Sequence, residues 1–311
     1  MTPAPAPRAK LGLAPKEISF EASGMSFRAL EWGPASGRLA LCLHGYPDTA
    51  WTWRHLGPYL AARGWRVVAP FQRGYAPTDL APDGCYQVGA LAADATGAHR
   101  ALGGDEQAVL IGHDWGAIAS YAAASHSPWL FRRIVTLAVP PLPAVSGAPG
   151  SVREWADEAV VIARQLRMSW YMLFQQLPWV PELVLPRLAP RLWSRWSLGY
   201  DAADDVARLR AALPDRTRAN AALSYYRAMV RPWTHLNRYA AEQSHWRAVP
   251  DCPILYLHGT ADGCMQSALA ERARSALTAP SQVELVAGTG HFLHLERPDE
   301  VNALIARFID N

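Results

Sequence analysis

From Val109 to Ala117 the chain reads VLIGHDWGA: an apolar run enters a glycine, a second glycine follows four residues later, and Asp114 lies between them. A strand feeding such a turn, with a helix after it, lifts one side chain clear of a sheet. The two glycines let the turn tighten and the helix pack close. The usual occupant of that tip is a hydroxyl, whereas this chain offers a carboxylate. With an ordinary pKa of about 3.9, a carboxylate is ionised at neutral pH and needs no base to activate it. Its attack on an ester or amide carbonyl would give a reactive anhydride. Displacement at a saturated carbon gives an ordinary alkyl ester instead. The substrate expected is therefore an electrophilic sp3 carbon, as in a strained epoxide or an alkyl halide. A plainer reading makes Asp114 a cap for the helix starting at Trp115, but it leaves the partner residues unused.

The ester has to be hydrolysed, which calls for a base to activate water. Val286-Ala287-Gly288-Thr289-Gly290-His291-Phe292 supplies His291 directly after the last strand-like run. His294 lies beyond that loop and reads as structural. A histidine base needs an acid to fix its tautomer and stabilise the imidazolium. Leu257-His258-Gly259-Thr260-Ala261-Asp262-Gly263 offers Asp262 after the seventh strand. After the sixth strand, Val139-Pro140-Pro141-Leu142-Pro143 offers no carboxylate. The order nucleophile, acid, base then matches one known arrangement on an α/β sheet. His44-Gly45-Tyr46-Pro47 follows the third strand, where a turn can aim the Tyr46 N–H at an oxyanion beside the Trp115 N–H. A cis bond before Pro47 would fix that turn.

Several elements must position these groups. Ile18–Ala22 and Phe27–Trp32 alternate with period two and read as an antiparallel edge pair. Leu39–Leu43, Val67–Ala69, Ala108–Ile111, Ile134–Val139, Ile254–Leu257 and Val283–Val286 are short apolar runs suited to parallel strands covered on both faces. Pro298 opens a terminal helix whose Val301, Leu304, Ile305 and Phe308 fall at helical spacing. The fold class expected is α/β with a mostly parallel central sheet flanked by helices. From 140 to 247 no strand pattern occurs. A Pro/Gly/Ser linker to Gly150 precedes helical segments bearing Trp155, Trp170, Trp179, Trp193, Trp196, Trp233 and Trp246. This reads as a helical cap inserted into a core of 16–139 and 248–311, after a Pro/Ala-rich tail over 1–15. Most of the cap tryptophans are expected to pack against one another as its core.

Bulk properties narrow the function classes. The formal charge is +3 among 311 residues, with no basic run, which argues against nucleic acid and against a polybasic membrane patch. Cys42, Cys85, Cys252 and Cys264 form no CxxC pair, so neither a disulfide framework nor a zinc site is expected. The first residues hold no apolar signal region, and a cytoplasmic protein is the expectation.

With Asp114, Asp262, His291 and HGYP assembled, the chain resembles the α/β-hydrolase superfamily, and within it the epoxide hydrolases with an aspartate nucleophile. HGYPDTAWTW, GHDWGA and GHFLHLERPDEV carry the resemblance, which spans nearly the whole chain after the tail. It implies two cap tyrosines that bind the epoxide oxygen and donate a proton to it. SWYMLFQQLP places the first at Tyr171 and LSYYRAM the second at Tyr226, with Tyr225 as the alternative about 100° around the same helix. Spacing alone would make both tyrosines cap core. The implied activity is hydrolysis of an epoxide to a vicinal diol through an ester on Asp114, without metal or organic cofactor. The partners implied are an apolar epoxide and water, with no nucleic acid and no membrane; a homodimer stays open. The same branch contains haloalkane dehalogenases, the first alternative, although Tyr46 stands where those enzymes commonly carry Asn. A non-catalytic ligand-binding protein on this fold is the second alternative. The chain departs from its relatives at Pro70–Asp79, PFQRGYAPTD, where many carry an acid before RGYG; that loop is expected to border the core rather than the chemistry.

Overall fold

The computed structural model describes residues 14–145 and 152–311. Eight strands form one sheet: β1 (Lys16–Ala22), β2 (Met25–Trp32), β3 (Arg38–Leu43), β4 (Trp65–Pro70), β5 (Val109–His113), β6 (Arg133–Leu137), β7 (Ile254–Gly259) and β8 (Gln282–Val286). Their order is β1-β2-β4-β3-β5-β6-β7-β8. The β1–β2 and β2–β4 pairs are antiparallel and all others parallel. This is the α/β-hydrolase fold class that the sequence implies.

The continuous apolar runs are buried because helices cover both faces of the parallel strands. Every residue of β5 and of β7 is buried. The chain steps outward from β3 to β4 and then returns to β5 on the other side of β3. The carboxyl ends of β3 and β5 are therefore neighbours at a switch point, with Leu43 paired to Gly112. The run expected as strand to Val139 stops at Leu137, because Ala138 takes a left-handed φ of 68° and turns the chain away from the sheet.

The covering and connecting helices are α1 (Leu56–Ala61), α2 (Val88–Ala101), α3 (Trp115–His126), α4 (Leu142–Val145), α5 (Val152–Met168), α6 (Trp170–Phe174), α7 (Val180–Trp196), α8 (Ala203–Ala212), α9 (Arg216–Val230), α10 (Ala240–Ser244), α11 (Ser267–Ala276), α12 (Leu293–Glu296) and α13 (Pro298–Asp310). From α4 to α10 no strand occurs among the described residues. The expected tail falls mostly, and the expected linker partly, outside the described residues.

The tryptophans expected as mutual cap core separate by burial, with Trp246 partly buried against the core cluster. Trp193 and Trp196 are fully buried, but against the core: Trp193 stacks on Phe292 and Trp196 meets the His291 ring. Trp170, Trp179 and Trp233 are exposed. A helical pattern marks which residues are apolar and leaves open which helix face finds a partner. The Trp155 side chain lies outside the described residues.

Candidate active site

The elbow forms as its glycines require. Asp114 has φ 52° and ψ −114°, a region where a non-glycine residue is strained by about 1–3 kcal/mol. A Cβ at Gly112 would strike the Gly116 carbonyl, and one at Gly116 would strike the Leu43 carbonyl. The tight turn therefore depends on both glycines. The Asp114 side chain does not cap α3; its Oδ1 accepts a 2.7 Å hydrogen bond from the Tyr46 N–H. Gly45 permits that approach, since a Cβ there would overlap the Asp114 carboxylate.

The turn after β3 is held from two sides. The Tyr46–Pro47 bond is cis. The His44 Nδ1–H donates to the Gly45 carbonyl at 2.9 Å, while its Nε2 accepts from the Gln72 N–H at 3.0 Å. The Gln72 side-chain amide also donates to the His44 carbonyl. Burial pushes the His44 ring down to about pKa 4, which keeps it neutral and able to accept. The 70–79 loop thus braces the oxyanion turn, contrary to the expectation that it borders only the core. Nothing in the sequence announces this contact, because Gln72 and His44 lie on separate loops that only the folded sheet brings together.

His291 follows β8 and lies fully buried between two carboxylates. Its Nδ1 is 2.9 Å from Asp262 Oδ2, and its Nε2 is 3.6 Å from Asp114 Oδ2. Asp262 is anchored through its other oxygen, which accepts from the Cys264 N–H at 2.6 Å and the Met265 N–H at 2.9 Å. Burial alone would lower the His291 pKa. The charges of Asp262 and Asp114 outweigh it and bring the ring up to about 10. The main chain of His291 is fixed as well, since its N–H donates to the Trp196 carbonyl at 2.9 Å.

Above these groups lies an apolar cavity of about 190 Å³ whose lining includes Asp114, Trp115, Tyr171, Tyr226 and Cys264. Tyr226 packs edge-on against Trp115, Tyr46 and Tyr171, at centroid distances of 5.0, 5.1 and 5.7 Å. Its hydroxyl makes no hydrogen bond among the described residues. The Tyr171 hydroxyl is 3.5 Å from Cys264 Sγ. Burial, then neighbouring groups, holds both phenols well above their ordinary pKa, so both keep their protons. The Tyr225 hydroxyl points elsewhere and donates to the Arg73 carbonyl at 2.8 Å.

The residues singled out from the sequence, Asp114, Asp262, His291, Tyr46, Trp115, Tyr171 and Tyr226, thus meet around one cavity or its floor. Sequence reasoning missed Gln72, Cys264, Gln175 and Trp193. Gln175 donates to the Tyr46 hydroxyl at 2.8 Å, and the Trp193 indole donates to the Pro47 carbonyl at 2.8 Å. His294, read from the sequence as structural, is buried, and its Nε2 is 2.6 Å from Thr52 Oγ1. It forms a buried cluster with Asp48 and His113 whose possible ligand atoms lie within 4.8 Å of one another. That cluster could hold a cation by residue type, but it stands behind His291 and away from the cavity lining.

Residues 41–298 match the family model described as alpha/beta hydrolase fold, and the chain belongs to that family. Epoxide hydrolase A of Mycobacterium tuberculosis is 28% identical, over 95% of this chain and 98% of its own. An epoxide hydrolase of Caballeronia sordidicola is 28% identical, over 94% and 93%. The crystal structure of epoxide hydrolase A from Mycobacterium thermoresistibile superposes with a TM-score of 0.70 at 27% identity, covering 96% of this chain and 98% of that one.

Proposed function

We propose that this protein hydrolyses epoxides to vicinal diols through an alkyl ester on Asp114. The observation that carries the reading is a carboxylate at the elbow facing two protonated phenols across an apolar cavity. The family membership and the epoxide hydrolases among its relatives support it. Tyr171 and Tyr226 hydrogen-bond the epoxide oxygen, and Asp114 attacks one ring carbon. The C–O bond breaks as a phenol delivers its proton to the leaving alkoxide, giving a hydroxyalkyl ester.

The second step uses the charge that the first step removes. While Asp114 carries its charge, His291 holds a proton between two carboxylates. Once Asp114 is esterified, one of the two raising influences is gone and burial again favours the neutral ring, so the His291 proton passes to the phenolate left by ring opening. Neutral His291, oriented by Asp262, takes a proton from water. The hydroxide adds to the ester carbonyl, and the N–H groups of Tyr46 and Trp115 receive the oxyanion. Collapse releases the diol and restores Asp114. No step calls on a metal or an organic cofactor.

Halide displacement by the same carboxylate is the less supported reading. A halide leaves without a proton, so it gives the two phenols no task. The test is chromatographic: purified protein with racemic styrene oxide, assayed for diol beside Asp114→Ala. Diol from the wild type alone is expected. Halide release from haloalkanes, with no diol from any epoxide, would overturn the assignment.

A further inference from the structure

The described part of the cap presents an apolar surface that nothing else among the described residues covers. Leu166, Trp170, Leu173, Leu177, Trp179 and Leu183 are all exposed, Leu173 by 74% and Trp179 by 72%. They follow one another from the end of α5 through α6 into α7. Exposed apolar residues scattered singly are ordinary, but a succession of this kind on one segment marks a contact surface.

Its charges say what kind of surface it meets. On α7, Val180, Leu183, Arg187 and Arg191 recur at steps of three and four, so the apolar stripe runs into two guanidinium groups on one face. Between Val160 and Trp196 the charged residues are Arg164, Arg167, Glu182, Arg187, Arg191 and Arg195. The five arginines are exposed, and none pairs with a carboxylate among the described residues. The one acid, Glu182, is buried against Arg227 at 2.6 Å. A second copy docking through this face by a two-fold axis would set arginines against arginines. Exposed tryptophan and leucine beside unpaired arginine instead suit the headgroup region of an anionic bilayer.

We propose that this face of the cap docks on anionic lipid surfaces. The docking is peripheral, since no helix among the described residues is long and apolar enough to cross a membrane. The whole-chain charge of +3 hides the feature, because acids elsewhere offset these arginines. The same helices reach the active-site cavity: Gln165 and Ser169 flank the end of α5, Met172 lies on α6, and all three are half-buried in its lining. Resting on the epoxide reading, the surface would then bring the cavity to apolar epoxides dissolved in the bilayer.

The test is co-sedimentation of the full-length protein with phosphatidylcholine vesicles, made with or without phosphatidylserine. Binding is expected only to the anionic vesicles and should weaken as salt rises. Leu173→Ser with Trp179→Ser, and separately Arg187→Glu with Arg191→Glu, should each lower vesicle affinity by about ten-fold or more. Diol formation from a water-soluble epoxide should stay unchanged in both variants, which shows that they fold. Absence of wild-type binding to anionic vesicles would overturn the proposal, as would equal binding to both vesicle types. So would a wild-type dimer that Leu173→Ser with Trp179→Ser converts to monomer, in a protein that binds no vesicles. Because binding is read apart from turnover, failure of the epoxide reading would show as missing diol and leave the vesicle result standing.

Discussion

The sheet end and the cap build the two halves of the candidate site by different means. On the sheet side, Asp114, Asp262 and His291 each sit within a few residues of a strand's end and are held by backbone groups: Asp262 by N–H groups of its own loop, Asp114 by the Tyr46 N–H after β3, and His291 through its own N–H to the Trp196 carbonyl. On the cap side, Tyr171 and Tyr226 lie on separate helices and reach the cavity through aromatic packing, with the Tyr226 hydroxyl bonded to nothing among the described residues. On the proposed mechanism, the groups that hold or take up charge, Asp114, Asp262 and His291, stand on loops of the sheet, and the neutral phenols that donate to the ring oxygen stand on the element inserted above it. Loss of a sheet-side group should therefore stop a chemical step, whereas loss of a cap-side group should slow one.

The sharpest way to break that contrast is at the sheet. Asp114→Ala should reduce diol formation by at least about 10⁴-fold. His291→Gln should leave ring opening in place and stall the ester, so intact mass should rise by the mass of the epoxide. An unmodified His291→Gln protein with no turnover would move His291 into the first step.

Next come the phenols. Tyr171→Phe and Tyr226→Phe should each slow ester formation by about 10²-fold, the usual scale of one general acid, and the double variant should slow it further. Stopped-flow tryptophan fluorescence would follow that step. If either single variant loses as much as Asp114→Ala, the division between the two halves fails.

A smaller effect is expected behind the oxyanion turn. Gln72→Leu removes the amide that braces the His44 carbonyl. It should lower kcat by about ten-fold, less than direct loss of an oxyanion donor, with KM little changed. Steady-state kinetics on one soluble epoxide would check it.

The smallest effect concerns charge and pH. The folded pKa of His291, about 10, lies above its ordinary 6.5, so folding holds the proton more tightly than the unfolded chain does. That stabilisation is fully present below 6.5 and is lost as the pH rises through 10. Asp114→Asn removes one of the two carboxylates responsible. The His291 ring should then titrate at lower pH by NMR, and thermal stability should fall less steeply between neutral and alkaline pH than in the wild type.

The same division decides what was legible in the sequence. Asp114, Asp262 and His291 could be read because a strand, a glycine turn and a reactive side chain are contiguous in each case. The β1–β2 pair was equally plain from its period of two. Nothing contiguous announces that Gln175 reaches Tyr46, that Trp193 reaches Pro47, or that Cys264 meets Tyr171. Those contacts join residues far apart in the chain and depend on how the cap helices settle on the sheet. Tyr225 and Tyr226 show the limit well. They are adjacent in sequence and alike in chemistry, and only the rotation of α9 turns one toward Arg73 and the other into the cavity.

The most direct measurement is a single turnover in ¹⁸O-water with enzyme in excess over epoxide. If hydroxide attacks the ester carbonyl, the diol takes its new oxygen from Asp114. The first diol should then be unlabelled, and the peptide holding Asp114 should carry one heavy oxygen. Heavy oxygen in the first diol, with an unlabelled peptide, would mean that water attacks the epoxide directly and that no ester forms on Asp114.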